Sequence, residues 1–377
     1  MKKVRDIFCV LLLLCTTMSC ENWLDVDPKT EIKSELMFQS VSGFKDALMG
    51  VYLTLRDPEL YGKEATWGFV DAIGQQTDIQ DQAAAYYNAS RYNYSQTSGV
   101  SDALWAKAFN AIVNLNNMLE NLDKQQNLFT PATYGVLKGE ALGLRAFLHF
   151  DLVRLFGWGN LAKKPENLEK LCMPYMTKYD KVLTKQLTVG EVLAHIEEDL
   201  LASIELLNNS DPYGLAPKQD DYDLPNEDKF FDNREKRFNY WAAVCTLTRV
   251  YMWMGRKGEA LTLAKSFIDK GGRTSWIDSY TIDAYYEKDR DLTFSREHVF
   301  ALDIAELFES VKHYIDPNAN KPNRNADLLY HSSERANKLF EAVNGVSTDY
   351  RYKRWYNKVN DFFDGWAFYK YWEVEEY

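Results

Sequence analysis

The 377 residues carry 44 Lys and Arg against 55 Asp and Glu, with 46% hydrophobic residues and a mean hydropathy of −0.42. Those values exclude a polytopic membrane protein and a disordered chain, and fit one large domain or two packed halves. A net charge of −11 excludes nucleic acid as the main partner, because phosphate binding needs a basic surface to release counterions.

The chain opens on an address. Lys2, Lys3 and Arg5 precede an apolar run from Ile7 to Met18, and small residues end at Ser19-Cys20, the pattern of a secretory signal. The run has 12 residues, where a spanning helix needs about 20. Cys20 follows a small residue, as lipoprotein signal peptidase requires, whereas Cys9 follows Phe8 and Cys15 follows Leu14. Residues 1–19 therefore read as a lipoprotein signal peptide and Cys20 as the lipidated first residue of a tethered protein. Ordinary cleavage after Ser19 is the alternative. Beyond it only Cys172 and Cys245 remain, too few for a disulfide framework. Cys245 falls in an apolar helical stretch and reads as a buried free thiol.

The body reads as helices. Phe44, Leu48, Val51, Tyr52 and Leu55 recur at helical spacing behind Ser40 and Ser42 as caps. A second helix spans Ser101 to Leu122. A third starts at Thr130-Pro131 and stops at Gly157. Thr188 with Glu191 forms a capping box that opens a fourth. Arg237 to Met254 and Gly258 to Lys270, separated by three residues, must lie antiparallel, and Tyr251 with Gly255 and Ala260 gives them a tetratricopeptide character. The period is not sustained, so the fold class is mostly α: irregular tetratricopeptide-like hairpins, with long loops forming a ligand-binding face. The expected organisation is an N-terminal half over 20–235 and a C-terminal half over 236–377.

Four connections, 57–99, 159–186, 208–235 and 271–296, exceed ordinary loop lengths, which points to function or to structure of their own. Two of them are aromatic, with Trp67, Phe69, Tyr86, Tyr87, Tyr92 and Tyr94 in the first and Trp276, Tyr280, Tyr285 and Tyr286 in the last. No zinc-protease, hydrolase-elbow, Walker or dinucleotide motif occurs. The five histidines lack metal-ligand spacing, and His149 reads as a hydrogen-bonded structural residue. The acidic stretch Asp220 to Asp223, with Glu227 and Asp228, lacks the glycine and terminal glutamate of a calcium loop. Sequence reading therefore assigns no catalytic residue, metal or cofactor.

Cys20 to Pro28, Gly43-Phe44 with Gly50-Val51-Tyr52, Asn116-Asn117, and above all Gly139 to Gly157 with its Arg145, Asp151 and Arg154, resemble the SusD/RagB family of nutrient-uptake lipoproteins of the outer membrane. Met173 to Tyr175, Thr188 to Val192, Asp199-Leu200, Arg249 to Tyr251 and Glu297 to Phe300 resemble further landmarks in the same order. Relatives of this kind continue into another helical pair after a segment resembling Phe363 to Tyr371, so the chain reads as C-terminally shortened. The resemblance implies a non-catalytic, surface-exposed lipoprotein that binds an oligosaccharide and delivers it to a SusC-like TonB-dependent transporter in the outer membrane. A peptide-binding member of the family, a helical glycoside hydrolase and a pure protein-interaction scaffold are the alternatives. Because a sugar stacks its apolar face on an aromatic ring and offers hydroxyls to polar groups, the expected ligand-binding residues are Trp67, Tyr86, Tyr87, Trp276 and Tyr285, with Asp78 and Arg91 as polar partners.

Overall fold

The computed structural model describes residues 36–79, 81–270, 276–286, 289–316, 327–360 and 363–371. Cys20 and the expected signal peptide lie outside the described residues. Among those residues no helix is long and apolar enough to cross a membrane.

Six helices form the main array: α1 (Val41–Leu55), α4 (Ser98–Lys124), α5 (Pro131–Phe156), α6 (Val189–Ser210), α7 (Tyr240–Met254) and α8 (Lys257–Lys270). Each packs on the next in chain order, as hairpin repeats do. Two short helices, α2 (Phe69–Ile73) and α3 (Tyr87–Ser90), lie in the first long connection. The starts follow from side-chain chemistry. Ser40 accepts from the Gly43 N–H, Thr130 from the Thr133 N–H, and Thr188 and Glu191 close the expected capping box. The fifth start is corrected: the helix begins at Tyr240 and not at Arg237, with Asn239 as its N-cap, its side chain accepting from the Ala242 N–H. Between α7 and α8, Gly255 takes φ +79°, a left-handed turn that costs glycine least. Trp241 meets Phe267 at 5.4 Å between ring centroids, so the far ends of the two helices close antiparallel.

The tightest joint is between α5 and α6. Gly135, Gly139 and Gly143 form one stripe of α5 at spacing four, and a Cβ on them would fall 2.0 Å from Ser210 Oγ, 2.8 Å from Leu207 Cγ and 2.2 Å from Phe238 Cε1. On α6 the partners descend from Ser210 through Leu207 to Ser203, whose Oγ lies 2.7 Å from the Gly143 Cβ position, so the two helices run antiparallel. The close approach also lets Ser203 Oγ donate to the Gly139 carbonyl at 2.6 Å.

Charge crosses the same core. Arg234, Glu140 and Asp211 are almost wholly buried. The guanidinium reaches Glu140 at 2.7 Å and Asp211 at 2.6 Å, and Tyr52 donates to Glu140 at 2.5 Å while accepting from the Phe238 N–H. A second cluster joins Arg145 to Asp199 in a two-toothed pair at 2.7 and 2.8 Å and to Asn116 at 2.9 Å, with Tyr175 donating to Asp199. His149 bears out its structural reading. It is fully buried, its Nε2 accepts from the Met176 N–H, and Nδ1 therefore carries the proton toward the Arg145 carbonyl at 2.8 Å. Residues on both sides of position 235 share this core.

The connections are not bare loops. β1 (Leu171–Met173) pairs antiparallel with β2 (Leu187–Thr188) in a short ribbon. Further on come α9 (Ser279–Ile282), α10 (Leu307–Ile315), β3 (Tyr330–His331), α11 (Ser333–Leu339), α12 (Tyr350–Arg354), β4 (Tyr356–Asn360) and β5 (Phe363–Phe368), the strands ordered β3-β5-β4 and antiparallel. A second core of Trp67, Phe69, Ile79, Tyr86, Phe308 and Val311 joins the first connection to α10.

Gly143→Ala should lower the stability by about 1–3 kcal/mol, because a methyl there overpacks against Phe238. Gly50→Ala, inside α1 with open space at its Cβ, should stabilise by about 0.5–1 kcal/mol. Urea unfolding of the two variants would contradict the close-approach argument if they shifted alike. His149 supplies a pH test. Burial pushes its pKa down to about 3 from an ordinary 6.5, the nearby Arg145 charge acting in the same direction. The unfolded chain then binds one more proton in that window, so stability falls as pH drops below 6.5, by at most about 1.4 kcal/mol per pH unit. His149→Gln should flatten the fall, and parallel pH profiles of unfolding for variant and wild type would contradict this.

Candidate functional site

A cleft of about 940 Å³ opens beside the main array, within the range of small-molecule sites. One wall comes from the array: Phe147 on α5, and Ala242, Cys245, Thr246 and Arg249 on α7. Tyr61, Thr66 and Trp67 of the first connection face it, residues 293–304 and Leu307 form a third side, and Lys370 and Tyr371 close it. The cleft therefore lies where the main array meets the second core.

Its floor is apolar and its margins are charged. Lys236 is paired with Asp303 at 2.5 Å, and Glu235 accepts from Tyr213 at 3.0 Å. Arg249 stays half in solvent, 3.5 Å from Asp151. Burial pushes the Asp71 carboxyl up to about 6 against the pull of Lys370, and the same burial lowers Lys370. Cys245 and Cys172 are both free. Burial pushes each thiol up to about 11, so neither is a ready nucleophile. Both are half-buried, which corrects the expectation that Cys245 is fully enclosed.

The segment after α8 supplies the exposed rings. Trp276, Tyr280, Tyr285 and Tyr286 stand 78%, 88%, 89% and 62% exposed. A wholly buried Ile282 anchors them. Asp278 caps α9 through the Thr281 N–H and holds Arg296 at 3.1 Å, while Asp283 holds Arg354. The Ile277 N–H donates to Glu297 at 2.8 Å. Since Glu297 lines the cleft, Trp276 is one residue from a contact with the cleft wall.

The other expected residues fall differently. Trp67 and Tyr86 are buried, both against Tyr314 at 5.3 and 5.8 Å between centroids, which corrects the expectation that rings outside the periodic helices have no core to fill. Tyr86 also donates to Glu64, which in turn holds Lys63. Trp67 keeps one link to the cleft: it borders it, and its indole N–H has no acceptor among the described residues. Asp78 is spent on the fold. It pairs with Arg335 at 2.9 Å and accepts from the Ser332 N–H, two interactions that outweigh burial and hold its pKa below the usual carboxylate range. Tyr87 packs on the second core with Arg91 over its ring at 5.5 Å. Ring contacts thus unite Trp67 with Tyr86, while Trp276 and Tyr285 belong to a separate exposed set. Sequence reading missed Phe147, Arg249 and Tyr371 as cleft residues. The available signal was the arginine at position 249 on an otherwise apolar helix. In the acidic stretch, Asp228 is engaged by Lys45 at 2.7 Å, and no group of three potential metal ligands occurs among the described residues.

Residues 22–219 match the SusD-like family described as starch-binding and associating with the outer membrane. Two SusD-like proteins of Formosa agariphila are each 26% identical, over 190 and 210 residues, or 48% and 53% of this chain. The chain spans little more than a third of the length of these curated relatives, 36% and 37%. Among solved structures, a SusD superfamily protein of Bacteroides vulgatus matches with a TM-score of 0.64 at 18% identity, over 89% of this chain and 69% of that one. A SusD-like carbohydrate binding protein of the same organism gives 0.59 at 18%, over 84% and 61%.

Proposed function

We propose an oligosaccharide-capturing, non-catalytic role for this chain, which belongs to the SusD-like family described as starch-binding and associating with the outer membrane. The observation that carries the reading is the run of four exposed aromatic rings in residues 276–286, tied to the wall of the cleft through Glu297. Leaving four large rings in water is unfavourable unless something covers them. The flat apolar face of a sugar ring does so, while its hydroxyls keep hydrogen-bonding to water and to polar groups at the margin. Trp276 and Tyr285 are the stacking residues in this reading. Arg249, half exposed at the cleft wall, and the indole N–H of Trp67, which has no acceptor among the described residues, offer partners to hydroxyls entering the cleft. The carbohydrate-binding description printed for a structural neighbour supports the same ligand class. A surface of this kind exchanges water for sugar at modest gain, so Kd should lie between micromolar and millimolar, roughly −8 to −4 kcal/mol.

Calorimetry with soluble starch fragments and other oligosaccharides tests it. Trp276→Ala and Tyr285→Ala should each weaken a bound oligosaccharide by more than about threefold, or roughly 0.7 kcal/mol, with the fold intact by circular dichroism. Unchanged affinity in both variants would remove the segment from the site.

Delivery to a SusC-like TonB-dependent transporter and anchoring through Cys20 complete the proposal. Its support is the family description together with the short apolar leader that ends at a small residue before Cys20. In cells fed labelled fatty acid, wild type should carry label and sediment with outer membranes, and Cys20→Ala should lose both. Label retained by the variant would refute the anchor.

A further inference from the structure

The ribbon β1–β2 displays a loop that neither the cleft nor the rings use. Residues 177–186 are all exposed. At the tip Leu183 is 97% and Val182 71% exposed, and Lys178 and Lys181, just before them, have no ion pair among the described residues. The feet of this loop are rigid. Asn116 donates to the carbonyls of Met176 and Lys178, Glu120 accepts from the Tyr179 N–H at 2.7 Å, and Gln186 reaches the Cys172 carbonyl. Asn116 is itself held by the buried Arg145. The apolar tip is thus presented by the core and is not a slack excursion.

Its charge runs against the rest of the molecule. Residues 158–186 contain six lysines and three acidic residues, in a chain of net charge −11. At the base of the ribbon Trp158 is half exposed, with the Lys170 ammonium 3.9 Å above its ring. We propose that this loop docks on an anionic lipid surface, Val182 and Leu183 entering the acyl boundary while the lysines meet phosphate headgroups. Two arguments select lipid over a protein partner. Lysine is depleted in protein–protein interfaces. Apolar residues ringed by lysines with an interfacial tryptophan are the composition of segments that lie at a membrane surface. Any lipid at Cys20 would then act as one of two anchoring signals. The docking is independent of sugar binding, so either can fail alone.

The test is co-sedimentation of the full chain with vesicles of phosphatidylcholine alone and of phosphatidylcholine mixed with phosphatidylglycerol. The leader and Cys20 are common to every protein compared. Wild type should prefer the anionic vesicles. Lys178→Glu with Lys181→Glu should lower that partition by about tenfold or more, and Leu183→Asp by about fivefold. Leu183→Ser keeps the test available should the aspartate variant misfold. Equal partition of wild type and variants overturns the proposal. So does a self-association that these substitutions abolish while vesicle binding stays the same.

Discussion

The fold turns on a problem of electrostatics: three ionised groups, Glu140, Arg234 and Asp211, have been taken out of water together. Desolvation on that scale is tolerated only where every charge is met and the remaining donors and acceptors are filled. Here the guanidinium serves both carboxylates, and the Tyr52 hydroxyl donates to a Glu140 oxygen while accepting from the Phe238 N–H. The four residues come from α1, α5, the end of α6 and the turn before α7. A shift of one helix would therefore leave a buried charge unpaired, which makes the array's register an all-or-none matter. The glycine stripe of α5 belongs to the same constraint, since only a close approach of α6 brings Asp211 within reach of Arg234.

The second ionic cluster has a different use. Arg145, Asp199, Asn116, Tyr175 and His149 seat the backbone at Met176 and Lys178. One face of the array thus fixes the β1–β2 ribbon. The opposite partnership, between the array and the second core, shapes the cleft. Rigid helices position surfaces that are themselves irregular, a common division of labour between scaffold and loop.

What is legible in the sequence follows how local the physics is. Capping at Ser40, Thr130 and Thr188 needs only three or four residues, and the structure places those starts accordingly. The α5 motif around Arg145 is equally plain as a resemblance, but its partners, Asp199 and Asn116, are 54 and 29 residues away and no periodicity points to them. The short strands carry too few residues to alternate. Trp67 and Tyr86 show where the reasoning about the site fails. A ring outside a periodic helix was expected to be free, yet each finds a core through residues more than two hundred positions further on, where Tyr314 closes over both. Trp276 and Tyr285 are exposed as expected, because their segment offers a single inward anchor, Ile282.

The second core also sets an order of assembly. Successive helices of the main array contact their chain neighbours, so that part can close as its residues become available. The first connection from Trp67 onward has no such option: Asp78 pairs with Arg335, the Ala85 N–H donates to Asp327, and Trp67 and Tyr86 pack on Tyr314. All of those partners lie beyond position 310. Until that stretch has left the ribosome and any translocation pore, Trp67 and Tyr86 lack the ring they pack on, and they stay uncovered while the residues up to Tyr314 are made.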